Sequence, residues 1–292
     1  MSISARITEA TVRPLLPPRE RDCNKGDFGR LLLIVSSVGM SGAGLIAAHG
    51  ALRSGVGLCC TATAAQASLP IQAALPETMT LPLPQTRTGA IRASCAPLLL
   101  RRANSSSAVV LGCGLSVCRN TEKLICNLLK GLRVPTVLDA DGINIAAQHI
   151  HLIRNAPAPL ILTPHPGEMS RLCKKSIDEI RRTRLQTAAE FATRHQVYLV
   201  LKDNVTVLSA PDGRQLFFEG GHPCMAKGGS GDLLAGMIGA FCAQGLAPLE
   251  AACCAVFLHG RAGEICGKHL GDRCVLASDL IAALPEAFQS LR

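Results

Sequence analysis

Gly228, Gly229, Ser230 and Gly231 run directly into Asp232 at the head of a long apolar stretch with helical spacing. Backbone amides at the start of a helix converge on an anion, and the helix dipole favours the same negative charge. An acid immediately beyond that anion hole can take the proton from a hydroxyl that is being phosphorylated. Asp232 is therefore the candidate catalytic residue. A first-turn acid that only complements the helix dipole would leave the four preceding residues unexplained. The spacing of a Walker loop is absent, so the anion hole is of another kind.

Other polar clusters follow short apolar runs. Asp139, Asp141 and Asn144 come at the end of one such run, where open α/β sheets bind ligands, although Asp141 also suits a helix N-cap. Pro164 and Pro166 bracket His165 and predict a rigid, non-helical loop that presents His165 to a ligand, with Thr163 and Glu168 as loop caps. Lys202, Asp203, Asn204, Val205 and Thr206 follow a further apolar run. They put a cation beside polar groups at the same edge, unless the lysine merely snorkels to solvent. Gly42 to Ala47 has the spacing of a dinucleotide fingerprint, but no acid lies between residues 28 and 76 to hold a ribose. Those glycines instead read as close helix packing or a backbone-lined pocket.

The elements that must position these groups alternate short apolar runs with helical stretches, the pattern of a parallel sheet covered on both faces. Strands are predicted at 30–36, 57–63, 108–112, 136–139, 160–163 and 197–201, then 206–209 and 215–218 flanking a turn at 211–213. Helices are predicted at 42–54, 119–132, 142–148, 177–195, 229–244, 248–268 and 277–289. No repeat or linker interrupts this order, which suggests an N-terminal arm, 1–22, and one domain, 23–292.

Composition narrows the classes further. A 292-residue chain that is 48% hydrophobic and 17% charged builds a large core. Seven Phe, one Tyr and no Trp argue against stacking of nucleic-acid bases, despite a net charge of +9. The basic stretch 171–194 reads as a solvated helix face. Fourteen cysteines lie mostly in apolar surroundings and are expected to be buried thiols rather than disulfides or metal ligands. The uncharged segment 31–52 breaks near Val38 and reads as strand, loop and helix rather than a membrane span. The N-terminus carries no secretory pattern, so the expected location is cytoplasmic.

Together these motifs resemble the NAD(P)H-hydrate dehydratase family, within the ribokinase-like superfamily. The resemblance rests on ordered segments at 25–30, 40–43, 138–141, 162–168, 202–206, 225–236, 244–248 and 276–279. It implies a single α/β ribokinase-like domain with a central, mostly parallel sheet and helices on both faces. It also implies dehydration of the S epimer of NADHX or NADPHX, by phosphorylation of the C6 hydroxyl and loss of phosphate. Bacterial members use ADP and release AMP, eukaryotic ones use ATP, and a magnesium ion bridges the phosphates. Ala43, Gly114, His165 and Asp232 would contact the hydrated cofactor. Lys202, Asn204, Thr206 and Gly231 would hold the nucleotide, with Asp203 and Val205 in the same segment. The length is similar to that of the stand-alone bacterial form, and the resemblance implies a homotetramer with a separate epimerase as partner.

Three positions depart from the family pattern. Cys113 stands where proline is usual and should loosen its turn, Lys227 replaces a common threonine and could add a phosphate contact, and Asp203 replaces a frequent glycine. Two competing readings remain: a ribokinase-like kinase of a small vitamin-precursor alcohol, and a non-catalytic nucleotide-binding protein.

Overall fold

Leu31 to Ile34 are apolar at every position because their strand is covered twice. Leu31 and Leu33 join a core formed with the helices Ser41–Arg53, Ser230–Ala243, Pro248–Leu270 and Ala277–Gln289. Leu32 and Ile34 join a second core on the opposite face, with Ala96–Asn104, Arg119–Gly131 and Arg184–His195 among its helices. The computed structural model that shows this describes residues 4–16 and 18–291.

Ten strands form one sheet among the described residues: β1 (Ala5–Arg6), β2 (Arg30–Ile34), β3 (Leu58–Ala64), β4 (Met79–Leu83), β5 (Ala108–Leu111), β6 (Thr136–Leu138), β7 (Leu160–Leu162), β8 (Tyr198–Leu201), β9 (Thr206–Ser209) and β10 (Gln215–Phe218). Their order is β1-β10-β9-β8-β7-β6-β5-β2-β3-β4. The seven strands from β4 to β8 are parallel, β9 is antiparallel to both neighbours, and β1 pairs parallel with β10. The chain winds outward from β2 through β3 and β4, then resumes on the other side of β2 at β5. That reversal opens a crevice at the carboxyl ends of the central strands, where open α/β sheets take ligands.

Two strands lie outside the predicted set. β1 is two residues long, and β4 contains Pro82 and holds the edge of the sheet, where a missing N–H is tolerated. The predicted helix at 177–195 is two helices, Ile177–Arg182 and Arg184–His195, because Thr183 leaves helical geometry with φ −115° and ψ 28°. Eight of the cysteines are buried, while Cys23 and Cys274 are exposed. No helix among the described residues is long and apolar enough to cross a membrane.

The helix that carries Asp232 is seated by glycine. A Cβ on Gly236 would lie 2.0 Å from the main-chain oxygen of Ala47, and one on Gly50 would lie 2.9 Å from that of Leu233. Ser41–Arg53 and Ser230–Ala243 therefore pack backbone to backbone, which fixes the height of the glycine loop above the sheet. Gly236→Ala is predicted to destabilise the fold by about 1–3 kcal/mol, because the methyl group must displace main chain. Denaturant unfolding checks this, and an unchanged midpoint would contradict the packing described.

Candidate active site

Four strand ends converge on one buried carboxylate. Asp139 follows β6 and is 2% exposed. Lys202, at the end of β8, donates from Nζ to its Oδ1 at 3.0 Å, and Thr163, at the end of β7, donates from Oγ1 to the same oxygen at 2.6 Å. The Cys113 thiol, beyond β5, donates to Oδ2 at 3.7 Å. Gly112 lets the β5 and β6 chain ends approach: its φ is +132°, and a Cβ there would lie 2.0 Å from the main-chain oxygen of Asp139. Burial opposes the charge on Lys202, but Asp139 and Glu168 outweigh it and raise its pKa. Lys202 is thus a paired cation, not a snorkelling one. Cys113 is fully buried, and burial with two neighbouring acids holds its thiol protonated.

The glycine loop closes over this cluster. Gly229 has φ +94° and hands the chain to Ser230, the first residue of the helix Ser230–Ala243. A Cβ on Gly231 would stand 3.2 Å from Lys202 Nζ, so the loop lies directly against the cation. One residue on, Asp232 is placed so that Cys113, Asp139 and Asp232 each offer an atom within 4.8 Å of the others. Burial and the Asp139 charge push the Asp232 carboxyl up to about 6, against the opposing pull of Cys113 and Lys202. An acid poised there is suited to proton transfer near neutrality. Ser230 Oγ lies 3.2 Å from Nε2 of His259, and burial pushes that imidazole down to about 4.

The structure corrects the loop expected around His165. Pro166 is the first residue of a helix, Pro166–Cys173, where its missing N–H costs nothing, and His165 is the N-cap. The ring Nδ1 accepts from the Gly167 and Glu168 amides, and Glu168 Oε2 accepts from the His165 amide. Burial pushes Glu168 up to about 7. Asp141 is likewise not an N-cap: Ala140 holds that position, and Asp141 accepts from the Ser116 amide at 2.8 Å, tying the β5 and β6 loops together.

A cleft of about 820 Å³ opens beside these groups. His165, Lys202, Asp203, Asn204, Thr206, Gly228, Ser230, Gly231 and His259 are among the residues that line it. The segment 202–206 is braced from behind, because Arg181 pairs with Asp203 at 3.2 Å and Arg184 donates to Asn204 at 2.9 Å and to the Val205 oxygen at 3.4 Å. Part of the basic stretch is therefore structural, not only a solvated face. Lys227 borders the cleft while donating to the Arg273 oxygen at 2.6 Å. Ala43 and Gly114 meet elsewhere on the sheet edge, where a Cβ on Gly114 would lie 2.8 Å from that of Ala43. Cys113, adjoining Gly114 in the chain, connects that contact to Asp139 and Asp232.

The sequence shows Asp139 without a partner, Thr163 as a loop cap, and His259 only as one of two histidines in a 23-residue helix. An acid ending an apolar strand was the one available signal. Removing one partner from a buried pair leaves the other charge uncompensated, at a cost of about 3–5 kcal/mol. Lys202→Met is predicted to destabilise on that scale, and Lys202→Met with Asp139→Asn to recover part of the loss. Unfolding titrations of both variants check this, and an unaltered single variant would contradict it.

The ten-stranded, mostly parallel sheet covered by helices on both faces is a ribokinase-like α/β fold. The chain belongs to the NAD(P)H-hydrate dehydratase family, whose model matches residues 31–286. It is 38% identical over 285 residues, 98% of this chain, to the bifunctional NAD(P)H-hydrate repair enzyme Nnr of Moorella thermoacetica, 54% of which is covered. The chain thus spans about half the length of such bifunctional relatives. It is 34% identical to the ADP-dependent (S)-NAD(P)H-hydrate dehydratase of Bacillus subtilis, with 97% of each chain covered. The crystal structure of the ADP/ATP-dependent NAD(P)H-hydrate dehydratase from Bacillus subtilis, co-crystallised with ATP and Mg2+, superposes with a TM-score of 0.84 at 30% identity, covering 99% of both chains.

Proposed function

We propose that the protein restores NADH and NADPH from the S epimers of NADHX and NADPHX, using ADP and releasing AMP and phosphate. The observation that carries this reading is Asp232, placed between the amide loop and the Lys202–Asp139 pair in a chain of this family. Asp232 takes the proton of the C6 hydroxyl as the terminal phosphoryl group of ADP arrives. The loop amides and Lys202 hold the phosphoryl charge as it moves. Phosphate then leaves C6 while a proton leaves the adjacent ring carbon, and the ring double bond is restored.

Magnesium fits as a passenger of the phosphates. The trio Cys113, Asp139 and Asp232 contains a thiol, a poor ligand for a hard cation, and an acid already paired with Lys202. It is not an all-oxygen cage, so phosphate oxygens and water would supply most ligands. When bound, the ion neutralises phosphate charge.

This reading also implies an epimerase activity that converts the R epimer, and the chain spans about half the length of its bifunctional relatives. A homotetramer and a cytoplasmic location belong to the same proposal. A small-alcohol kinase would share the anion loop and base but stop at a stable phosphate ester.

Incubation with NADHX and ADP is expected to restore the dihydronicotinamide absorbance. Absence of ADP-dependent recovery, with phosphorylation of a vitamin alcohol instead, would overturn the proposal. Asp232→Asn is expected to keep ADP affinity and lose at least ~100-fold in turnover, the scale of a general base. Because the base must be ionised, wild-type turnover should fall as pH drops through about 6, where Asp232 takes up its proton. A rate that is flat through that range would remove Asp232 from this role.

A further inference from the structure

His165 borders the cleft with a side chain about half exposed. Its ring is fixed from within the helix. The main-chain N–H groups of Gly167 and Glu168 both donate to Nδ1, at 2.9 and 3.3 Å. A backbone amide can only donate, so the nitrogen that receives them carries no proton. Neutral imidazole has one N–H, and that N–H is therefore on Nε2. A second proton would have to enter at Nδ1 and would abolish the cap of the helix Pro166–Cys173. Burial opposes the charged ring further, as do Lys202 and Arg171, while Asp139 acts in the opposite sense. Glu168 is the remaining acid that faces the ring. Its Oε2 stands 3.7 Å from Nε2, beyond hydrogen-bond reach, and already accepts from the His165 amide at 2.9 Å.

We propose that His165 meets its ligand as a fixed Nε2–H hydrogen-bond donor and does not accept the proton lost from the ring carbon when phosphate departs. The histidine that this reading sets against the substrate is thereby removed as the second base, and that proton goes to another group. The ligand contact rests on the proposed function, whereas the position of the ring proton does not.

The test uses the full chain with nitrogen-15 in its eight histidines and two-bond proton–nitrogen correlation spectra between about pH 6 and 8. His165→Ser identifies the signal, because serine also caps a helix and removes only the ring. The expected result is the Nε2–H tautomer throughout that range. An Nδ1–H tautomer, or a ring that gains its second proton at or above the ordinary value of about 6.5, would overturn the proposal. In turnover of NADHX, His165→Ser should raise KM at least roughly tenfold and lower kcat less than tenfold, since a donor bound in ground and transition states alike acts on KM. A kcat loss of about 100-fold or more, the mark of a missing proton acceptor, would overturn it. If the wild type fails to turn over NADHX, the proposed function falls, and the spectra alone decide the proton's place.

Discussion

The Lys202–Asp139 pair is the constraint on which the rest of the site depends. Its two members are 63 residues apart in sequence and come from strand ends at either side of β7, so the pair forms only when the parallel sheet is in register. Asp139 is buried and Lys202 only partly open to the cleft, so the carboxylate needs further donors, and Thr163 and Cys113 supply them from β7 and β5. The same pair serves the glycine loop. Lys202 Nζ stands next to Gly231, so the cation that neutralises Asp139 is already positioned for a second anion.

Asp232 gains its character from this arrangement rather than from its own helix. A first-turn acid is ordinarily stabilised in its charged form by the helix dipole. Here burial and the nearby Asp139 charge overcome that preference and push Asp232 up to about 6. Close packing of Gly236 on Ala47 and of Gly50 on Leu233 holds the helix at a depth where that burial is unavoidable. Core geometry and acid strength are thus linked. A shift of the Ser230–Ala243 helix would move Asp232 and the glycine loop together.

Much of this was legible in the sequence, for identifiable reasons. Strands buried on both faces appear as uninterrupted apolar runs, so β2, β5, β6, β7 and β8 were recognised, whereas the two-residue β1 and the proline-bearing β4 lacked that signal. The loop at 228–232 was visible because glycines followed by an acid are rarely explained by packing alone. Contacts made only in three dimensions were not visible. Nothing local in the sequence sets the Cys113 thiol against Asp139, and His259 has no local pattern to distinguish it from a core histidine. Pro166 misled in a different way, since a proline that excludes the helix interior is also favoured at its first position.

In the proposed reaction Asp139 sets the proton affinity of Asp232 through space. The acid limb of kcat/KM against pH, in Asp139→Asn beside the wild type, decides whether it does. Removing the Asp139 charge takes away a repulsion that raises the Asp232 pKa and leaves Lys202 unopposed, so the limb is predicted to move below its wild-type position near 6. A limb that stays in place or moves upward would contradict the account.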